Sequence, residues 1–214
     1  MYMASPARKR ARTGGGEADE EAVPVADGFE APIFGARVGQ VSTLTLEGED
    51  GPLSLGQVGV ASDHAGAWYV ATEDSLLHVS AAGRARRVAA LPASGVFYSI
   101  AISPDGSAVF VADCSNDEIR RVEVATGEVT TIAGSGEDGA ADGVGDAAQF
   151  DGPAGIAISR DGVLFVADNS NHKIRRVEVA TGAVTTLAGS GEFGDADRVG
   201  DAAEFNNPVG IALS

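Results

Sequence analysis

A 41-residue stretch of this sequence occurs twice, at a spacing of 55 residues. Residues 110–150 and 165–205 are identical at 32 of 41 positions. The segments FVAD at 110–113 and IRRVEVATG at 119–127 both return unchanged. A fixed period of tens of residues is typical of repeat architectures, in which each unit buries its apolar face against the next. The period therefore constrains the fold more strongly than any single motif.

Short runs rich in Val and Ile, separated by turn residues, divide each repeat into four strands. Asp-Gly at 105–106 and at 161–162 is a strong hairpin signal, because both residues tolerate positive φ. A second turn is predicted at the Ala-Thr-Gly segments 125–127 and 180–182. Recurrent glycine and β-branched residues disfavour helices. The strands predicted for the last full repeat are about 155–159, 163–167, 173–179 and 183–188.

Two clear repeats, one degenerate repeat and partial units at both ends account for most of the chain. The degenerate repeat keeps Trp-Tyr-Val-Ala-Thr at 68–72 in place of Leu-Phe-Val-Ala-Asp at 164–168, and it lacks the long glycine-rich loop. Gln40–Leu46 is predicted to be the last strand of a repeat, and Gly210–Ser214 the first strand of another. The repeats are predicted at about 55–95, 96–150 and 151–205, with a further one starting at 206–214.

The long loop that ends each clear repeat predicts a short helical turn. An aspartate is followed three residues later by Gln or Glu, which resembles a capping box with Asp in place of Ser or Thr. A phenylalanine then enters the core, and a proline starts the next strand. These residues are Asp146, Gln149, Phe150 and Pro153 in one repeat, and Asp201, Glu204, Phe205 and Pro208 in the other.

Three segments of the last full repeat together resemble the NHL repeat. They are Phe-x-x-Pro-x-Gly-Ile-Ala, Phe-Val-Ala-Asp-x-Ser-Asn-His-Lys-Ile-Arg and Val-Thr-Thr-Leu-Ala-Gly. The dipeptide that names the family is Asn171-His172, although Lys173 stands where the family has leucine. The preceding repeat departs further, with Asn-Asp-Glu at 116–118. The resemblance covers about residues 40–214.

The resemblance implies a six-bladed β-propeller, with the Ile-Ala strand innermost and the Thr-rich strand outermost. We therefore predict an all-β fold: a propeller-like arc of four-stranded antiparallel blades, with about three blades plus partial strands, forming an incomplete six-bladed propeller. An open arc exposes an apolar blade face and strand edges, which invites association. Two explanations stay open. The preferred one is the N-terminal part of a longer protein, and the alternative is self-assembly of two arcs.

The chain is strongly acidic, with a formal net charge of −16. Both clear repeats contribute: 96–150 has 2 basic and 10 acidic residues, and 151–205 has 5 and 9. A nucleic-acid interface needs clustered Lys and Arg, so nucleic acid is a disfavoured partner. No run of 18 apolar residues occurs, so no membrane-spanning helix is predicted.

Residues 1–28 are predicted to be a disordered tail, because they combine charge with Ala, Gly and Pro. A basic cluster precedes an acidic one at 17–21, and it resembles a nuclear-import signal or a solvated charged leader. The basic residues are Arg8, Lys9, Arg10 and Arg12. The single cysteine, Cys114, excludes an internal disulfide and fits a reducing compartment. We expect an intracellular protein, cytoplasmic or nuclear.

No catalytic, cofactor-binding or metal-ligating residue is predicted. The histidines (His64, His78 and His172) lie in no nucleophile motif and at no metal-ligand spacing, and structural roles are preferred for the first two. Related propeller enzymes of the metal-dependent lactonase or lyase type need carboxylates or His on the innermost strands. The segments 59–62, 98–103 and 155–159 contain none.

The acidic loops could suggest calcium, which takes several oxygen ligands. They lack a twelve-residue calcium-loop pattern, so turns and caps are the preferred explanation, with calcium left open. The glycines of Gly134-Ser135-Gly136 are better explained as turn residues than as a phosphate loop. The loop aspartates are Asp138, Asp142 and Asp146, and Asp195, Asp197 and Asp201.

The turn between the second and third strands is the candidate partner surface. It comprises Asn116, Asp117 and Glu118 in one repeat, and Asn171, His172 and Lys173 in the next. An acidic pair is thus exchanged for a basic pair on a constant frame. That change is consistent with a surface that a partner recognises, or with unconstrained sequence variation in exposed loops.

Paired arginines follow each of these turns, at 120–121 and 175–176. Adjacent strand residues point to opposite faces, so both members cannot be buried in the same way. Each pair precedes a glutamate (Glu123 or Glu178), and a cross-strand charge ladder between stacked blades is expected.

These observations favour a non-catalytic interaction scaffold that binds a protein partner through propeller loops. The alternatives are a propeller enzyme whose ligands lie in blades outside this sequence, and an RNA-binding NHL module.

Overall fold

A computed structural model describes residues 59–63, 65–92 and 95–213, together with the backbone of 47–48 and 51–52. The predicted tail, the predicted strand Gln40–Leu46, His64 and Ser214 lie outside the described residues. The described structure is almost entirely β, as predicted from the repeats.

The strands form a short hairpin and three antiparallel sheets. The four main strands of each sheet follow chain order, so each of them pairs with its neighbour in sequence. The hairpin is β1 (Glu47–Gly48) and β2 (Gly51–Pro52), and the first sheet is β3 (Gly59–Ser62), β4 (Trp68–Ala71), β5 (Ser75–Val79) and β6 (Ala85–Ala90). The second sheet is β7 (Ile100–Ile102), β8 (Ala108–Asp113), β9 (Glu118–Glu123) and β10 (Val129–Ala133). The third is β12 (Pro153–Ile158), β13 (Val163–Asp168), β14 (Lys173–Glu178) and β15 (Ala183–Ala188). The two-residue strand β11 (Gly143–Val144) lies at the edge of this sheet, next to β15.

The four strands of the last repeat begin and end within two residues of their predicted positions. The predicted turns are also confirmed, because Gly106 and Gly162 adopt φ of +71° and +81°. The degenerate repeat forms a complete four-stranded sheet, despite the loss of the long loop. The first strands β3, β7 and β12 lie next to one another, as expected for blades arranged around an axis.

The core lies between consecutive sheets. One cluster joins the second sheet to the third and includes Phe110, Ile119, Phe150, Leu164 and Val177. A second cluster joins the first sheet to the second. Burial of each such side chain contributes roughly 1.5–3 kcal/mol, so the stacking of sheets is the main apolar contact of the fold.

The long loop of the second repeat reaches the third sheet, which the sequence did not predict. Its strand β11 pairs with β15, with Gly143 opposite Val184 and Val144 opposite Ala183. The loop therefore adds a fifth strand to the sheet of the next repeat and ties the two repeats together.

The helical turn in this loop is confirmed, but its predicted cap is wrong. A 3-10 turn spans Gly145–Ala147, and its N-cap is Val144, which makes no side-chain cap hydrogen bond. Asp146 lies inside the turn rather than before it. The equivalent turn Gly200–Ala202 is the same, with Val199 at the N-cap. The reason is that glycine at positive φ turns the chain before the aspartate is reached.

The predicted strand at Gly210–Ser214 is not present in its described part, 210–213. Pro208 correspondingly does not begin a strand, whereas Pro153 does, as predicted. A strand requires ladder hydrogen bonds to a neighbour, and no described strand pairs with this segment. Phe205 is only half-buried, whereas its counterpart Phe150 is fully buried between two sheets.

Candidate interaction surface

Antiparallel pairing places two kinds of loop at one end of the sheets. The turns between second and third strands, and the long loops between repeats, emerge together there. The hairpins at Gly106 and Gly162 emerge at the opposite end. We call the first end the long-loop face and define it by residues 113–118, 135–150, 168–173 and 190–207.

A buried aspartate organises each turn on the long-loop face. Asp113 and Asp168 end their strands and are 0% exposed. Asn116 Nδ2 donates to both oxygens of Asp113, at 2.9 and 3.0 Å. Asn171 Nδ2 donates to Asp168 Oδ2 at 2.9 Å. The asparagines of the predicted partner surface therefore also hold their own turns closed.

The next turn residue, Asp117 or His172, accepts a backbone N–H through its side chain in both repeats. Asp117 and His172 adopt positive φ, +51° and +54°. Asp117 Oδ1 accepts the N–H of Gly152 at 2.7 Å, and His172 Nδ1 accepts the N–H of Asn207 at 3.1 Å. Each side chain thus fastens its turn to the segment that leads out of its own repeat. The exchange of Asp for His preserves the acceptor.

Burial raises the pKa of Asp117, and the Gly152 N–H offsets only part of the rise. The nearby carboxylates Asp151, Asp138 and Asp113 raise it further. Burial and the same kind of neighbours raise the pKa of the half-buried Cys114 thiol. This part of the long-loop face is therefore a concentrated negative charge.

The third turn residue begins the third strand and differs most between repeats. Glu118 Oε2 pairs with Arg120 Nη2 at 2.5 Å and accepts the Thr131 hydroxyl at 3.1 Å. Lys173 instead extends beside Gly191, where an added Cβ would lie 3.3 Å from its Cε. Both side chains are half-buried, so each presents part of its surface outward.

Arg175, which the sequence did not single out as functional, connects two repeats. It is 0% exposed and makes four charge-assisted contacts. Its Nη1 donates to Asp168 Oδ2 at 2.7 Å and to the Gln149 carbonyl at 2.9 Å. Its Nη2 donates to the Ala141 carbonyl and to Asp142 Oδ1, each at 2.9 Å.

Two further contacts complete this arrangement. The guanidinium carbon of Arg175 lies 5.2 Å from the centroid of the Phe150 ring, within cation–π range. Asn171 Nδ2 donates to the Gly139 carbonyl at 2.7 Å. We call Asp168, Asn171 and Arg175, with the loop 135–150 that they grip, the arginine clasp.

The two carboxylates of the arginine clasp have pKa values shifted in opposite directions. Burial raises the pKa of Asp168, and donors from the Asp151 N–H, Asn171 and Arg175 offset part of the rise. Partial burial also raises the pKa of Asp142, but hydrogen bonds from Thr186 and Arg175 outweigh it and leave the pKa below the ordinary value. Asp142 is therefore the carboxylate that stays ionised to lower pH.

Arg120 occupies the equivalent position in the second repeat but does not reach the preceding repeat. It pairs with Asp113 at 2.6 Å and Glu118 at 2.5 Å, and it donates to Thr131 at 3.2 Å. The preceding degenerate repeat has no long loop to grip. Glu118 supplies the second carboxylate that Asp142 supplies to Arg175.

The predicted charge ladder between stacked blades is wrong. Arg121 pairs with Glu123 at 2.5 Å, and Arg176 pairs with Glu178 at 2.8 Å. Each pair is two residues apart on one strand and so shares one face of its own sheet. The predicted opposition of adjacent arginines is confirmed, because the Arg175 side chain is 0% exposed and the Arg176 side chain 35%.

An exposed aromatic marks the third repeat on this face. Phe193 is 66% exposed, and its ring meets the His172 ring edge-to-face with centroids 5.9 Å apart. The equivalent residue of the second repeat is Asp138. His172, Lys173 and Phe193 therefore form a cationic and aromatic patch where the neighbouring repeat is acidic.

The opposite end of the sheets holds a groove of about 420 Å³ between the second and third sheets. Asp105 and Arg160 line it, together with Arg121 and Asp161. Hydrogen bonds from the hydroxyls of Ser103 and Ser107 and from the Ser107 N–H lower the pKa of Asp105 to about 2. The Asp105 carboxylate therefore accepts hydrogen bonds within its own turn.

Within the described residues, no three or more His, Cys, Asp or Glu side chains are grouped so that they could hold a metal ion. Asp142, one of the loop aspartates, accepts the Thr186 hydroxyl at 3.0 Å as well as Arg175. No helix in the described part of the chain has the length and apolar character needed to span a membrane. His78 lies in β5, and its ring meets Tyr69 edge-to-face at 5.1 Å.

Comparison with known families agrees with the geometry. The NHL repeat matches residues 150–176, which include the buried aspartate, the Asn-His turn and Arg175. The chain contains an NHL repeat. Its all-β fold of four-stranded blades is β-propeller-like, as the resemblance implied.

Two curated relatives of this NHL-repeat chain cover about half of it. NHL repeat-containing protein 2 of Homo sapiens is 33% identical over 124 residues, 54% of this chain and 17% of that protein. Protein SUPPRESSOR OF QUENCHING 1, chloroplastic, of Arabidopsis thaliana is 31% identical over 123 residues, 54% of this chain and 12% of that protein. The chain thus spans less than a fifth of the length of either relative.

Solved structures extend the likeness in fold. An auxiliary nutrient binding protein from Bacteroides ovatus superposes with a TM-score of 0.58 at 23% identity, covering 69% of this chain and 40% of that one. A similar protein from Bacteroides thetaiotaomicron gives 0.55 at 22% identity, covering 68% and 39%. At these identities the likeness concerns the fold alone.

Proposed function

We propose that this NHL-repeat chain is a non-catalytic scaffold that binds a protein partner on its long-loop face. The contact residues are the two turns, Asn116–Glu118 and Asn171–Lys173, together with Phe193. The asparagines fix the turns, and the two following residues of each turn vary in charge.

The exposed Phe193 beside His172 carries this proposal. A ring that is 66% exposed on a loop gains little for folding, whereas aromatic side chains are enriched among residues that dominate binding energy. Lys173 adds a cation at its edge. A partner that fits this patch presents an apolar anchor for Phe193 and a carboxylate for Lys173.

The charge of the chain favours a protein over a nucleic acid. The formal net charge is −16, and the second repeat places Asp117, Glu118 and Asp138 on the same face as the patch. A polyphosphate backbone would be repelled there. A protein partner can complement both the acidic and the cationic parts of the surface.

The first strands support a non-catalytic role. The described strands β3, β7 and β12 read GVAS, IAI and PAGIAI, without a carboxylate or histidine. A propeller enzyme with a metal in its central channel needs such ligands on these strands. We therefore expect no turnover from this part of the protein.

The test uses one patch variant and one matched control. Proteins retained from cell extract on the immobilised chain would be identified by quantitative mass spectrometry, and the affinity of each purified candidate measured by calorimetry. Phe193→Ala is expected to weaken binding about 30-fold, the effect of losing a residue worth about 2 kcal/mol. Leu187→Ala, on the outer strand and also exposed, should leave the Kd unchanged.

Two outcomes would overturn the proposal. The first is a partner whose Kd is the same for Phe193→Ala and for the unmodified chain. The second is hydrolase or lyase turnover by the protein with tightly bound calcium or zinc. Circular dichroism of each variant keeps a folding defect from being counted as lost binding.

The expected intracellular location is tested separately. We propose that the basic cluster of the tail acts as a nuclear-import signal. Fluorescent fusions with and without alanine at the four positions would be compared in cells. Equal nuclear fractions would show that the cluster is only a charged leader. The four positions are Arg8, Lys9, Arg10 and Arg12.

A further inference from the structure

Strand β10, the last strand of the second sheet, lacks the extra strand that its counterpart β15 has in the third sheet. At β15 the two-residue β11 pairs with Ala183 and Val184. This extra strand belongs to the long loop of the preceding repeat. The degenerate repeat that precedes β10 has no such loop. Among the strands that the structure describes, none pairs with the outer edge of β10.

The backbone groups at this open edge follow from the pairing on the inner side of the strand. The Glu123 N–H donates to the Glu128 carbonyl at 2.9 Å, so Glu128 bonds inward to β9. Inward and outward bonding alternate along an antiparallel strand, so the N–H and carbonyl of Val129 point outward. Val184, the counterpart of Val129, lies opposite Gly143 of β11. The residue that receives a strand at β15 is therefore available for the same pairing at β10.

Side chains along the open edge are less buried than their counterparts in the third sheet. Val184 is 1% exposed, whereas Val129 is half-buried. Thr131 is exposed, whereas its counterpart Thr186 is half-buried. The 3-10 turn Gly145–Ala147 lies near the other end of β10. The uncovered part is therefore the beginning of the strand.

The second sheet nevertheless sits on the first as the third sits on the second. Gly127 and Gly182, in the turns before β10 and β15, adopt φ of +74° and +72°. A Cβ added at Gly127 would clash with the Val88 carbonyl oxygen, and one at Gly182 would clash with the Ile132 carbonyl oxygen. Val88 and Ile132 lie at the β-bulge of the last strand of the preceding sheet. The two turns thus pack in the same way, and the extra strand is what distinguishes β15 from β10.

The side chains beside the open edge indicate which strand would fit it. Glu128 is exposed, and the loop after β10 adds the exposed Glu137 and Asp138. A strand paired like β11 would place one residue opposite Glu128, as Val144 lies opposite Ala183. Opposite charges favour such a cross-strand pair and like charges disfavour it. A basic residue is therefore preferred at that position.

We propose that the outer edge of β10 docks an extended basic segment of a protein partner, which adds to the second sheet as a further strand. An apolar residue of the segment lies opposite Val129 and points toward the first sheet, on the side where Val129 packs against the second core cluster. The next residue is basic, lies opposite Glu128 and points to the other side. Main-chain hydrogen bonds supply affinity, and the alternating side chains supply the sequence preference.

This edge is separate from the Phe193 patch, and the inference does not depend on the proposed function. Phe193→Ala should therefore leave binding at β10 unchanged. A chain that loses its partner at the patch but keeps binding at the edge would contradict neither proposal.

The first experiment titrates a synthetic peptide, acetyl-Val-Lys-Val-Lys-Val-amide, into the isotope-labelled full chain. Saturable shifts of the β10 amides are expected, with smaller shifts in β15, whose edge is already occupied by β11. A peptide with Glu in place of both Lys should bind at least about tenfold more weakly. Glu128→Gln in the chain should weaken binding of the Lys peptide about two- to fivefold, the effect of one cross-strand charge pair.

N-methylated peptides separate strand addition from charge attraction. Methyl groups on the valine nitrogens remove the N–H groups that face β10 in this register, so the β10 shifts should disappear. Methyl groups on the lysine nitrogens point away from β10 and should leave the Kd within about twofold, because those N–H groups make no bond to the chain. Val129→Pro removes the outward N–H from the chain itself, at an edge where proline is tolerated, and should also abolish binding. Circular dichroism checks that this variant is folded.

A second measurement supplies the missing strand from the chain itself. Residues 91–96 would be replaced by a copy of residues 134–149, because Phe97 and Phe150 are equivalent core residues, each no more than 1% exposed. The degenerate repeat would then carry a long loop. We expect the Val129 amide to become at least about tenfold more protected from hydrogen exchange, and the Lys peptide to lose its site.

Three results would overturn the inference. The first is no saturable binding of the Lys peptide, or equal binding of the Lys and Glu peptides. The second is binding that persists when the valine nitrogens are methylated, which would indicate charge attraction without strand addition. The third is a Val129 amide that is as protected as the Val184 amide in the free chain, which would show that the edge is already covered.

Discussion

Replacement of Arg175 by Met tests the clasp most directly. The change removes a buried cation while keeping most of the apolar stem, and it leaves Asp168 buried without its ion-pair partner. Breaking a buried pair from one side costs about 3–5 kcal/mol, mainly through the uncompensated charge. The Ala141 carbonyl still accepts the N–H of Gln149, so loss of its contact with Arg175 adds little to this cost. We expect a loss of about 3–5 kcal/mol in the free energy of unfolding.

The adjacent arginine provides the control. Arg176 has the same chemistry one position along the strand, but its side chain and that of Glu178 are 35% and 42% exposed. Pairs at the surface contribute about 0–1 kcal/mol, so Arg176→Met should lose no more than that. Urea unfolding of both variants, followed by circular dichroism at pH 7, gives the two free energies on one scale.

A double variant separates the cost of the unpaired Asp168 charge from the cost of losing the Arg175 hydrogen bonds. Asp168→Asn combined with Arg175→Met removes the buried charge but retains an acceptor for the Asp151 N–H. It should be more stable than Arg175→Met alone. The reasoning would be refuted if Arg175→Met cost less than about 1 kcal/mol, the range of a surface pair, or if the double variant were no more stable than the single one.

Three further predictions concern the long-loop face. Because the folded pKa of Asp117 is raised, the folded state binds the proton more tightly than the unfolded state; Asp117→Asn should stabilise the protein at pH 7, an advantage that vanishes below about pH 4. Asp117→Ala should instead cost at least about 1 kcal/mol, because the Gly152 N–H loses its acceptor; both effects are measured by urea unfolding across pH. Gly134→Ala should destabilise more than Gly145→Ala, which costs about 1–2 kcal/mol for its positive φ, because a Cβ at Gly134 would lie 2.4 Å from the Asp117 carbonyl; melting temperatures would rank them. The folded pKa of Asp142 is lowered, so Asp142→Asn should be less stable than the unmodified chain at pH 7, with the difference closing as the pH falls through that pKa.

The strands could be predicted from the sequence because the relevant signals are local. The glycines at 106 and 162 adopt positive φ in tight hairpins. The short Val- and Ile-rich runs between such turns favour β-strands. The 55-residue period then fixed how the sheets succeed one another. The predicted cap of the helical turn at 145–147 is absent because Val144 occupies the N-cap position, and its side chain has no oxygen to accept an N–H of the turn.

The clasp could not be predicted in full, because identical residues have different partners. The segment IRRVEVATG is the same in both repeats, yet Arg120 stays within its repeat and Arg175 crosses to the preceding one. What differs is the loop before each sheet, more than 25 residues away along the chain. The repeated spacing of Asp and Arg, seven residues apart, was the available signal, since the register places Asp168 opposite Lys173 and hence on the face of Arg175.

The charge exchange between the two turns has an internal cause as well as a proposed external one. Arg120 has no long loop before it, so Glu118 supplies its second carboxylate, whereas Arg175 receives that carboxylate from Asp142. Position 173 is thereby released from pairing, and a lysine is accepted there because the buried arginine is already neutralised. The charge at position 118 or 173 therefore depends partly on whether a long loop precedes the sheet. Exposed Phe193, which no contact of this kind requires, is the better guide to a partner than the sign of the charge.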